Sequence, residues 1–236
     1  MVRVRHGDDG RYLAAQPLTA RLLAAPATVL ITVLAACGSP PQQPATPAPA
    51  PPSAVQADLT RVRAALPSGY EVGELTGASS APAFWGFGAG WSAAPPRCAT
   101  LADPAPGDRA ARGLSASGEG GTVFVVVAAD GAGAPPADVL AECSHWRMVF
   151  GHTSAEVTGA DGPAIEGAET TAWNAVARTV VEAGSQTSTL ISMQAAFFGS
   201  RVAFVTLITD PGSTQPALDP DFAAGLLATA VAAYRG

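Results

Sequence analysis

The chain has 236 residues, room for one ordinary domain plus appendages. Its 13 basic residues, all arginine, face 19 acidic ones, a net charge of −6. Setting aside the four arginines and two aspartates of residues 1–36 leaves 9 basic and 17 acidic residues, a net of −8. Such an acidic chain offers no counterion-releasing surface to phosphates, which argues against nucleic acid as a partner.

The amino-terminal quarter is an address rather than a fold. Leu22 to Ala36 reads LLAAPATVLITVLAA, fifteen largely apolar residues containing Pro26, whereas a spanning helix needs about 20. Arginines upstream and small residues downstream give the order of a secretion signal. The next residue is Cys37, followed by GSPPQQPATPAPAPPSA, with seven prolines in residues 38–54. The leader before Leu22 carries Asp8 and Asp9, so translation is expected to begin later, near Leu18. The proline tract favours extended polyproline geometry, about 3.1 Å per residue, and acts as a spacer of up to roughly 50 Å.

From Val55 onward the pattern is that of a folded domain. Val55, Leu59, Val62 and Leu66 form one stripe of a helix that Pro67 and Gly69 end. Tyr70 to Leu75 alternates as a strand. The stretch FWGFGAGW places Phe84, Trp85, Phe87 and Trp91 between glycines. With Trp146 these rings are the candidate ligand contacts, because binding sites are largely apolar; the competing reading is that they are core. PPRCATLADP reads as a short helix carrying Cys98. Gly118 to Thr122 is glycine-rich but precedes a strand, where a phosphate loop would follow one, so a hairpin turn is expected. Thr122 to Ala129, TVFVVVAA, is a continuous apolar run suited to a strand covered on both faces.

After Pro135 and Pro136 a helix is expected in which Val139, Cys143, Trp146 and Phe150 share a face, with His145 and Arg147 off it. Thr171–Glu182, Gln186–Phe198 and Arg201–Thr209 are rich in Val, Ile, Thr and Phe and are separated by short turns, as in antiparallel hairpins. Asp219 and Pro220 open a final helix carrying Phe222, Leu226, Val231 and Tyr234. The expected fold is α+β, an antiparallel sheet flanked by N- and C-terminal helices. The domains are 1–36 signal, 37–54 anchor and linker, and 55–236 folded.

Three cysteines occur, at 37, 98 and 143. One abuts the signal and two lie inside the domain, which fits one modified thiol and one Cys98–Cys143 disulfide. No HExxH or paired CxxC spacing is present, and neither metal nor cofactor is expected. Ser144–His145 and His152–Thr153–Ser154 raise a hydrolase alternative. Neighbours on a helix point about 100° apart, however, and Gly113–Ser117 lacks the last glycine of a nucleophile elbow.

Two resemblances add to this. Leu34-Ala35-Ala36-Cys37 resembles the bacterial lipobox, which implies cleavage before Cys37, a diacylglycerol thioether on its sulfur and acylation of the new amino group; two or three acyl chains anchor stably where one does not. LPSGYEV, FWGFGAGWSAAPPRC, CSHW, RTVVEAG and LITDPGS resemble an actinobacterial, chiefly mycobacterial, lipoprotein family of unknown function, similar to the extracellular sensor domain of PknH-type kinases. That resemblance covers residues 55–236 and implies a sensor-like domain with a ligand cleft. Those kinase domains carry two disulfides, and this chain keeps cysteines for one. The expected role is a membrane-anchored envelope lipoprotein whose non-catalytic domain binds an envelope lipid, a glycan or a protein partner. A purely structural accessory role is the other alternative.

Overall fold

The computed structural model describes residues 54–77, 80–181, 184–209 and 212–235; the signal, Cys37 and nearly all of the proline tract lie outside them. Nine strands form one sheet: β1 (Glu71–Thr76), β2 (Ser92–Ala94), β3 (Arg112–Gly118), β4 (Gly121–Ala128), β5 (His145–Phe150), β6 (Thr153–Ala160), β7 (Glu169–Val180), β8 (Gln186–Phe198) and β9 (Arg201–Thr209). Their order is β1-β3-β4-β9-β8-β7-β6-β5-β2, every pair antiparallel. The helices are α1 (Ala54–Ala64), α2 (Ala81–Phe84), α3 (Ala99–Ala102), α4 (Ala137–Glu142) and α5 (Pro220–Arg235), with a 3-10 turn at Pro96–Cys98.

β4 is buried on both faces, as its unbroken apolar run requires. Val126 and Ala128 enter one core, and Val123, Val125 and Val127 enter the other. The glycine-rich stretch before it is the two-residue turn of the β3–β4 hairpin, with Gly118 opposite Gly121. Gly121 has φ +143°, and a Cβ there would lie 2.1 Å from the Ile208 carbonyl oxygen, so this corner admits glycine alone.

The first core holds Trp146, Met148, Trp173, Met193 and Phe204 from the sheet. Against them pack the short elements between residues 81 and 143, including Trp85, Phe87, Leu101 and Val139. Cys98 and Cys143 lie in this layer, fully buried and joined as a disulfide across 45 residues. Closing that loop stabilises the domain by about 4 kcal/mol in the chain-entropy account. Arg97, one residue before Cys98, binds Asp138 at 2.8 Å and Glu142 at 2.5 Å on α4. Those hydrogen bonds lower the Asp138 pKa and raise that of Arg97.

The second core lies on the opposite face. There Val62 of α1 and Ala223, Leu226, Leu227, Ala230 and Val231 of α5 meet Leu114, Val123, Val125, Val205 and Leu207. Both terminal helices therefore cover the same face. The short helices and loops cover the other, an arrangement the expectation of a sheet flanked by terminal helices did not contain.

One element differs in kind. The helix expected to carry Val139 through Phe150 stops at Glu142, with Cys143 as its cap, and His145–Phe150 is a strand. Cys143, Trp146 and Phe150 fit a helical face, but Trp146 and Met148 with the partly buried Phe150 equally fit a strand face, and pairing decides between them. β5 finds β6 on one side and β2 on the other, and its burial alternates down to Val149. Strands β2 and β6 are also additions to the elements read from sequence.

Candidate functional site

The width of the sheet creates the site. Nine strands about 4.8 Å apart span about 38 Å, while two packed helices cover only about 20 Å. α1 and α5 lie over β3, β4, β9 and the distal half of β8. Over β5, β6, the second half of β7 and the first half of β8 the same face is open.

The register defines what this open half presents. One cross-strand row runs Arg147, Glu156, Val176, Leu190, and the neighbouring row runs His145, Thr158, Asn174, Ser192, Leu207. Beneath them, on the opposite face, Trp146, Val157, Trp173, Ala175 and Ile191 are buried. Leu190 is 52% exposed, an unusual state for a leucine in mid-sheet. Where this face meets the Ala217–Pro220 approach to α5 there is a groove of about 390 Å³. Its walls include Val176, Leu190, Leu207 and Leu218, and its hydrogen-bonding side chains are Glu156, Thr158, Asn174, Ser192 and Thr209.

One charged network borders the groove. Glu156 takes Arg147 Nε at 3.4 Å and His145 Nε2 at 3.6 Å, and His145 Nδ1 lies 3.2 Å from the Thr158 hydroxyl. A hydroxyl, an imidazole and a carboxylate thus meet in sequence, the composition of a nucleophile relay. The surroundings do not suit that chemistry. The His145 and Glu156 side chains are 65% and 42% exposed, and β6 is flanked by β5 and β7, so its N–H groups are committed to ladders and not to an oxyanion. Ser144, paired with His145 in the hydrolase alternative, instead lines a separate concavity with Asp161 and Trp173. His152 is exposed at the β5–β6 turn, and Ser154 lies in the row beyond Arg147.

The candidate rings mostly went inward. Trp85, Phe87 and Trp146 are at most 5% exposed and belong to the first core, with the disulfide. Phe84 stacks on Phe124 with ring centroids 4.1 Å apart, and Trp91 packs partly buried against the same core. These rings give a ligand little surface, and the groove sits on the other side of the sheet. Its own residues went unread, although TAWNAVART carries the signal: Trp173, Ala175 and Ala177 alternate with Asn174, Val176 and Arg178. That is a one-face-open pattern, unlike the continuous run of β4.

A larger concavity, about 640 Å³, lies between the Pro67–Tyr70 turn and residues 215–222. Two of its polar groups serve structure: Tyr70 donates to the Glu119 carbonyl, and Asp219 caps α5 by accepting from the Asp221 N–H. Burial raises the Tyr70 pKa. On the open face of the sheet, the Asn174 amide and Ser192 hydroxyl make no side-chain hydrogen bond among the described residues. No group of three metal-ligating side chains and no membrane-crossing helix occurs among the described residues.

Residues 56–235 match the family model for DUF5642, a domain of unknown function. The chain belongs to the DUF5642 family. The DUF5642 fold is shared with an uncharacterised Mycobacterium smegmatis protein, an Rv0999 ortholog whose X-ray structure is known. The TM-score is 0.57 at 20% identity, over 76% of this chain and 96% of that one. At that identity the likeness concerns the fold. No curated protein matches.

Proposed function

We propose that this DUF5642 protein is a lipid-anchored envelope protein whose domain binds an envelope component, without chemistry, in the open half of its sheet. The observation that carries the reading is the 390 Å³ groove: apolar walls, unengaged amide and hydroxyl groups, and a sheet face that the chain's own helices leave open. The expected signal over residues 1–36, with Cys37 directly after it, and the resemblance to kinase sensor domains support the location and the binding role. Trp146, Trp85 and Phe87 then serve as the packed underside that keeps the strands flat and in register, rather than as ligand contacts.

Two measurements test it in the full chain. Radioactive palmitate should label the wild type and not Cys37→Ala; equal labelling refutes the anchor. A Ser192→Cys thiol should alkylate more slowly in native membranes than after detergent purification, while Ser200→Cys, at the exposed β8–β9 turn, reacts equally in both. Equal rates at Ser192→Cys in the two preparations refute an occupied groove.

A further inference from the structure

We infer that the occupant is a short neutral glycan, lying across the strands; this rests on the groove reading above and narrows its ligand class. Three features of the open half-face select that chemistry.

The first is charge. The one carboxylate in the lining, Glu156, is engaged from two sides by Arg147 and His145. No cation lines the groove among the described residues. Within the lining an anionic headgroup would find no positive partner and would face Glu156; Arg178, on the same face, stands one row beyond Val176 and outside the groove. A cationic ligand would meet a carboxylate already paired. An uncharged ligand incurs neither cost.

The second is the spacing of polar groups. Thr158, Asn174 and Ser192 are directly opposite one another on β6, β7 and β8, so they repeat about every 4.8 Å, over about 10 Å in all. Asn174 offers both a donor and an acceptor, and each hydroxyl can act either way. A row of ambivalent hydrogen-bonding groups at the pitch of linked sugar rings matches a polyol, whose hydroxyls also donate and accept. An acyl chain would leave the Asn174 amide and the Ser192 hydroxyl covered and unpaired, at the cost that follows when buried polar groups lose water.

The third is the apolar partner row. Val176 and Leu190 lie beside Asn174 and Ser192 on the same face, and Leu218 closes the far wall. A pyranose has a hydroxyl-bearing edge and a C–H face, and the two adjacent rows can meet both at once. A protein partner is too large for this surface. β5 to β8 span about 14 Å and the open positions run about 17 Å along the strands. Even doubled for side-chain relief, that is under the roughly 800 Å² per partner of a stable interface.

The test uses the full chain in a detergent without a sugar headgroup, probed with an array of neutral, sulfated and carboxylated oligosaccharides. Neutral di- and trisaccharides should bind. Asn174→Leu and Leu190→Asp, both at exposed positions, should each weaken binding about tenfold or more, with an unchanged thermal midpoint, while Ser200→Ala has no effect. Preference for charged glycans, or binding indifferent to both variants, overturns the assignment. If phospholipid vesicles protect the Ser192→Cys thiol and no neutral glycan does, the ligand class is wrong and the groove reading stands. If nothing protects that thiol, native membranes included, both fall.

Discussion

The Cys98–Cys143 bridge yields the sharpest quantitative expectation. Both sulfurs are fully buried, and the loop they close runs through α3, β3, β4 and all of α4. Replacing both by alanine releases that loop in the unfolded chain, a loss of about 4 kcal/mol by the loop-entropy relation. For a domain of this size each kcal/mol moves the midpoint by about 2–4 °C, so the double variant should melt roughly 8–16 °C lower. Calorimetry at matched pH reads this directly. Burial adds a kinetic corollary: a thiol reductant must wait for the layer to open, so reduction of the wild type should proceed no faster than unfolding. A midpoint shift of only a degree or two, or reduction that outpaces unfolding under native conditions, would refute the reasoning.

Two further expectations follow from packing and protonation. Leu226→Ala, deep in the second core, should cost about 2–5 kcal/mol, whereas Leu190→Ala on the open face should change stability by no more than about 0.5 kcal/mol; comparable losses in urea titrations would mean that the face is covered. Asp103 accepts from the Ser80 hydroxyl at 2.8 Å, while its Oδ1 is buried without a partner. Burial raises its pKa above the ordinary carboxylate range, against the opposing hydrogen bond from Ser80. A carboxyl raised on folding favours the native state when protonated, so its contribution declines as pH rises from the unfolded value through the folded one. Asp103→Asn removes that titration and should gain on the wild type between pH 4 and pH 7. A difference that is constant or reversed over that interval defeats the argument.

How far the sequence disclosed this depended on whether a signal was local. β4, the β8–β9 pair and α5 were legible because unbroken apolar runs, tight turns and the Asp219 cap act within a few residues. The disulfide was legible because two cysteines remained after Cys37. β5 was not, because Cys143, Trp146 and Phe150 satisfy two periods at once and only β2 and β6 choose between them. The groove was hidden for a related reason. It exists because the sheet is wider than its helical cover, and no short window states that width. The trace it leaves, alternation in β5 and β7 against continuity in β4, becomes meaningful once all strands lie in one sheet.

The placement of α1 against α5 also governs when the fold can exist. The first helix buries Val62 on the same surface as Leu226, Leu227 and Val231, from the final sixteen-residue helix. β4, moreover, must wait for β9, about 80 residues later, for its second neighbour. The five-strand meander from β5 to β9 has short-range pairings and can assemble early, whereas the amino-terminal elements can only dock. A chain still emerging from a ribosome or a translocation pore therefore keeps α1 out of place until α5 arrives. Completion of the domain is a report that α5 has passed.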